Sequence, residues 1–321
     1  MNTHIKTAVL AVSLPASLFF SSCNNHKADD HSKDIHTNQT IGDVYACPMH
    51  PDMKGKKGDK CPKCGMEMVK QSNDKGNYEM KFIAEPELIE ALKPTRLVFT
   101  PKNLDDTNEV VRLELMHEKP IHLIAVSEDL SWFHHIHPEQ RADDAYAVVE
   151  TFPNAGKYFL YADYKPAGKP GLVNKIEINV KGVQTAAPPA EESKWVSVTD
   201  GYVAILMNAK DLKTGDTHLG FSISKDGKPL SSAVLENYLG AIAHVVMISK
   251  ADKSYIHIHP GTNDKFLIDG ETAVSKPGVY RIWVQFQIKG QVHTADFTVN
   301  ITQGEKMTGN MKNMDDHAHM H

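Results

Sequence analysis

Between residues 80 and 182 the apolar residues fall into short runs broken by Gly, Pro and Asp: Arg96–Thr100, Glu109–Met116, Ile121–Val126, Trp132–His137, Tyr146–Phe152, Lys157–Asp163 and Lys175–Val180. Runs of this length, separated by turn residues, predict strands, and about seven of them in about 100 residues predict a β-sandwich. Glu85–Leu92 predicts a short helix. The pattern then returns. Thr95, Leu97 and Phe99 recur as Thr217, Leu219 and Phe221, and Gly156 and Tyr158 recur as Gly278 and Tyr280, always 122 residues later and without a gap. A match of this extent is a domain duplication. It sets a first repeat at 80–182, a linker at 183–194 containing Pro188-Pro189, and a second repeat at 195–303. Trp283 stands where Tyr161 stands in the first repeat, and both are expected to be core aromatics.

Three histidines survive in both copies: His122, His135 and His137 in the first, His244, His257 and His259 in the second. Residues two apart on a strand face one way, so His135 and His137 share a face. Ser127–Ser131 predicts a turn, and folding back there sets His122 opposite His135 or His137, about 4.5–5.5 Å away between Cβ atoms. Three imidazoles then converge on one ion with a coordination position left open. By geometric analogy alone the arrangement resembles the three-histidine zinc site of carbonic anhydrases. A structural role in a sheet corner is the competing reading. Alternation does not choose between them, since Val245 and Met247 are apolar on one face of the strand while Val246 and Ile248 are apolar on the other. His117, matched by Leu239, and His293, without a counterpart, are copy-specific candidates for a fourth ligand. His134 is matched by Ile256.

Composition adds little until it is read for where it clusters. The 321 residues are 41% hydrophobic with a net charge of −5, enough for two cores and without the basic excess expected of a nucleic-acid partner. The 18 histidines and 13 methionines gather in particular segments. Residues 1–22 carry Lys6, an apolar run Ala8–Phe20 and small residues before Cys23, the layout of an export signal. It resembles a bacterial lipoprotein signal, which implies lipidation at Cys23, with Phe20 and Ser22 as departures from the usual pattern. A polar tether, 23–43, follows.

Residues 44–70 hold Cys47 and His50, then Cys61 and Cys64, each pair separated by two residues. This is a Cys₃His set suited to a tetrahedral soft-metal site. If Cys23 is lipidated, three cysteines remain, an odd number that cannot all pair as disulfides. Tyr45, Cys47, Pro48, Met49, His50 and Pro51, followed by Cys61, Pro62, Cys64, Gly65 and Met66, resemble the small heavy-metal-binding domain of copper-transporting P-type ATPases and of copper and silver efflux adaptors. That resemblance implies the handling of copper or a related metal, and the thioethers of Met49, Met66 and Met68 favour Cu(I). A zinc-filled scaffold is the alternative. The repeats are similar, more loosely, to exported domains with a His…Phe/Tyr-x-His-x-His-Pro pattern found beside copper-resistance proteins.

The tail, 304–321, sets Met311, Met314, His317, His319 and His321 close together without apolar periodicity. It resembles the exposed Met/His segments with which exported copper proteins capture the ion. The expectation is therefore a mostly β chain: a small metal-knuckle domain followed by two duplicated immunoglobulin-like or cupredoxin-like β-sandwiches. Its expected work is copper binding, with zinc as the alternative, for sequestration, resistance or relay in the cell envelope. A lipid anchor at Cys23 and a copper efflux or relay protein are the expected partners, and the outer membrane the expected location. A metalloenzyme using three-histidine sites is a rival, but no carboxylate is shared by the two hairpins: Glu128 is matched by Lys250 and Asp129 by Ala251. An interaction module whose metals are purely structural is the other rival.

Overall fold

The computed structural model describes residues 45–46, 53–62, 67–70, 75–183 and 193–304. Nearly all regular structure among them is antiparallel strand, with a single 3-10 turn at Ser232–Val234. The first repeat contains β1 (Tyr78–Glu85), β2 (Pro94–Asn103), β3 (Ile121–Ser127), β4 (Phe133–Ile136), β5 (Tyr146–Thr151), β6 (Gly156–Pro166) and β7 (Leu172–Val180). One sheet runs β1-β2-β5 and the other β7-β6-β3-β4. The second repeat contains β8 (Val196–Thr199), β9 (Tyr202–Leu206), β10 (Gly215–Lys225), β11 (Ala243–Ser249), β12 (Tyr255–Ile258), β13 (Ile268–Val274), β14 (Gly278–Ile288) and β15 (Gln291–Ile301). Its sheets are β8-β9-β10, with β13 on β10, and β12-β11-β14-β15. Each repeat is a β-sandwich, and β3, β4 and β6 recur at the same offset as β11, β12 and β14.

The sandwich cores are built from the inward positions of both sheets: Leu97, Phe99, Leu123, Ala125 and Leu160 in the first, Leu219, Phe221, Val245, Met247 and Ile282 in the second. Tyr158 and Tyr280 each donate their hydroxyl to a backbone carbonyl four residues upstream, on Asn154 and Lys276, at 2.9 and 2.8 Å. The expected helix at Glu85–Leu92 is absent. Glu85 is still paired with Arg96 in the ladder, and Pro86, which lacks an N–H, ends the strand in bends and a turn. Glu109–Met116 forms only the short strand Leu113–Glu114 against Lys165 and Pro166.

β3 and β11 are buried on both faces, which is why their sequences show no clean alternation. Leu123 and Ala125 fill the sandwich, while Ile124 and Val126 join Val246, Ile248, Phe159, Tyr161 and Trp283 in a third apolar cluster drawn from both repeats. The two sandwiches therefore meet sheet to sheet along a pseudo-twofold seam. Phe133 stacks on Trp283 with ring centroids 4.7 Å apart, and its counterpart Tyr255 stacks on Tyr161 at 4.9 Å, both with 13° between planes. Tyr161 donates to the Lys253 carbonyl at 2.8 Å, and Arg281 to the Leu130 carbonyl at 3.2 Å. Tyr161 and Trp283 thus belong to the seam and not to the cores of their own sandwiches.

In the knuckle segment, Tyr45–Ala46 pairs with Lys54–Gly55 on one side and Val69–Lys70 on the other. Cys61 and Met68 are buried there with Tyr45 and Met53 packed against them.

Candidate metal centre

The histidines of both copies lie at the polar end of the seam, on the seam-facing side of β3, β4, β11 and β12. In β3 the register sets Ile124 against His135 and Leu123 against Ile136, which keeps His122 and His135 on the seam face. Just before β3, Met116–Lys119 closes a two-residue hairpin turn whose central residues His117 and Glu118 have φ of 46° and 67°. The second repeat has the same turn at Tyr238–Ala241, with Leu239 at 50° and Gly240 at 72°.

These turns fix the first histidine of each set. His122 donates Nε2–H to the Met116 carbonyl at 2.8 Å, and His244 donates Nε2–H to the Tyr238 carbonyl at 2.9 Å. A carbonyl only accepts, so in each ring Nδ1 is left with a bare lone pair. The second histidine of each set is fixed from across the seam. His135 donates Nδ1–H to Gln285 Oε1 at 2.7 Å, and His257 donates Nδ1–H to Asp163 Oδ2 at 3.0 Å. Asp163 and Gln285 occupy equivalent positions of the two repeats, so each repeat orients the other's histidine. Nε2 of His135 is then also unprotonated, and Nε2 of His257 is the nitrogen left facing His244.

The lone pairs face each other. His122 Nδ1 lies 3.0 Å from His135 Nε2, and His244 Nδ1 lies 3.4 Å from His257 Nε2. His137 Nε2 is 3.1 Å from the same His135 nitrogen. Whichever nitrogen of His137 carries its proton, His122 Nδ1 and His135 Nε2 have none between them. His259 Nε2 is buried without a hydrogen-bond partner among the described residues. Ligand atoms of His122, His135 and His137 fall within 4.8 Å of one another, as do those of His122, His244 and His257, so His122 links the first triad to two histidines of the second. His117 stacks on His259 with centroids 3.4 Å apart.

Burial, reinforced by repulsion from neighbouring imidazoles, pushes these rings below the usual histidine range. His117 and His122 fall to about 4, His137 to about 3 and His244 to about 2, while His135 and His259 lie well below 6.5. At neutral pH these six rings are therefore uncharged.

The remaining candidates lie elsewhere. His293 is buried against Tyr202 and Phe286 and bonded to Asp200 at 2.8 Å, inside the second sandwich, and is no fourth ligand to this cluster. His134 pairs with Glu150 at 2.6 Å. Cys23, Cys47, Met49, His50, Cys64, Met66, Met311, Met314, His317, His319 and His321 lie outside the described residues. Sequence reasoning sought a carboxylate only inside the hairpins and so passed over Asp163 and Gln285. Their signal was a polar residue at one shared position in otherwise apolar strands.

The family described as Domain of unknown function (DUF8832) matches residues 49–182 and again 197–303, the greater part of the chain. The chain belongs to this family. No curated protein matches it. Among solved structures it is similar to the Escherichia coli adhesin FdeC at 13% identity, covering 74% of this chain and 68% of that one with a TM-score of 0.25. It is also similar to the FN1–FN3 domains of chicken CNTN1 (10% identity, 74% and 70% covered, TM-score 0.20) and to carbohydrate-binding modules of the β-sandwich superfamily (10%, 72% and 94%, 0.20). Overlaps this loose say nothing about a ligand.

Proposed function

We propose that this protein binds metal ions, copper first and zinc as the alternative, in a histidine centre shared by its two sandwiches. The observation that carries this is the facing of bare imidazole lone pairs at 3.0 and 3.4 Å. Two imidazoles bound about 2.0–2.1 Å from one tetrahedral ion stand about 3.3 Å apart, so the spacing is that of ligands around a cation. Without a proton or a cation between them His122 and His135 repel each other, and burial disfavours the proton. A purely structural histidine would instead give its second nitrogen a donor or an acceptor. Backing of each ring by a carbonyl, amide or carboxylate is the outer-shell arrangement that fixes the tautomer of metal-binding histidine.

On this reading the knuckle segment, built from Cys47, His50, Cys61 and Cys64, and the Met/His tail capture or hand over ions, and the seam holds a site of fixed geometry. On the same reading the chain is anchored at the outer membrane through Cys23, where it sequesters or relays copper, with an efflux or relay protein as its partner. The sandwiches are immunoglobulin-like or cupredoxin-like variants of the β-sandwich. The role is binding without catalysis: among the described residues the carboxylate bonded to one of the six shared histidines, Asp163, acts as hydrogen-bond acceptor to His257.

The test is metal stoichiometry of the mature chain under Cu(I), Cu(II) and Zn(II), compared with the double variant His135→Ala, His257→Ala. The variant is expected to lose the seam ions and keep its β-sheet circular dichroism. Unchanged stoichiometry would refute the seam site, and collapse of the dichroism would favour a structural role.

A further inference from the structure

The two halves of the cluster share geometry but not charge. Behind His257 stands the carboxylate of Asp163, and behind His135, at the equivalent position, the neutral amide of Gln285. The hairpin turns differ in the opposite sense. Lys119 closes the first turn, where its positive charge is felt at His122 and His137, and Ala241 closes the second. The difference lies in what is bonded to the rings: a carboxylate holds a shared histidine of the second half, and a neutral amide its counterpart in the first. The third histidines also differ: His259 Nε2 is sealed, while its counterpart His137 borders an open groove with Arg96 and Glu139.

We infer that the halves fill in order, the first ion seating at His244 and His257 beside Asp163, and a second, more exchangeable ion at His135 and His137, with His122 within reach of both pairs. The inference rests on the metal reading proposed above and adds to it a resident and an exchangeable position. The two groups together offer more nitrogens than one tetrahedral ion takes. A carboxylate hydrogen-bonded to a metal-binding imidazole raises the basicity of the ring, and loss of such a partner lowers affinity about 10–100-fold. Asp163 is accordingly a positioning residue that also sets the order of filling.

The experiment is a Zn(II) titration of the full mature chain, followed through the imidazole nitrogen resonances of the individual histidines, which separates the seam from the knuckle and the tail. In the wild type His244 and His257 should respond before His135 and His137. Asp163→Asn keeps an acceptor for His257 and removes the charge, so it should weaken the first site about 10–100-fold and abolish the order. The exchange Asp163→Gln with Gln285→Asp should invert the order, a result that loss of packing would not produce. Gln285→Glu alone, which leaves Asp163 in place, should bring the second site level with the first. Simultaneous or reversed filling in the wild type, or an order indifferent to these changes, would overturn the inference while leaving the metal site standing. No response from any seam histidine would overturn both.

Discussion

Lowering the pH of the metal-free chain from 7 to 4.5 should open the seam and unfold the protein, far above the pH at which carboxylate loss unfolds most domains. His122 and His244 are each 1% exposed and titrate near 4 and 2 in the fold, against 6.5 unfolded. Between the folded and unfolded values the unfolded chain holds more protons, so stability rises with pH there and is lost as pH falls below 6.5. By pH 4.5 each such ring disfavours the fold by about 2–3 kcal/mol. Several together approach the whole ~5–15 kcal/mol stability of a folded protein, though coupled charges do not add simply. Bound metal competes with the same protons, so saturating Zn(II) should move the acid transition to lower pH. Circular dichroism against pH, with and without metal, reads both effects. A metal-free transition below pH 3.5 would mean that the buried imidazoles are not the groups that set it.

Trp283→Ala should cost about 3–5 kcal/mol, the loss expected when a large aromatic leaves a packed apolar cluster. The side chain is 3% exposed, stacked on Phe133 and covered by the Arg281 guanidinium 5.4 Å from its ring. The loss falls on the seam, so urea unfolding should separate into two transitions as the sandwiches uncouple. The centre draws on both repeats, and metal affinity should fall with it even though Trp283 touches no histidine of the cluster. A cost under about 1 kcal/mol, or unchanged affinity, would show that the seam is not what assembles the centre.

Much of this architecture was legible in the sequence because it depends on local rules. Short apolar runs between turn residues gave the strands, and the constant offset from His122 to His244 gave two sandwiches of one design. The Glu85–Leu92 helix failed because pairing with β2 overrode a weak local preference, and Pro86 then ended the strand. The meeting of the two triads was not legible. Ile124 and Val126 show only that β3 has two apolar faces, and nothing local tells a second face buried on the same domain from one buried on its duplicate. Asp163 and Gln285 were hidden for the same reason: each lies about a hundred residues or more from the histidine it orients.

The most direct test is a crystal of the Zn(II)-loaded chain with an anomalous difference map at the zinc edge. The account predicts a peak in the seam between His122 Nδ1 and His135 Nε2 or between His244 Nδ1 and His257 Nε2. Zinc confined to the knuckle cysteines or the tail, with none between the sandwiches, would contradict it.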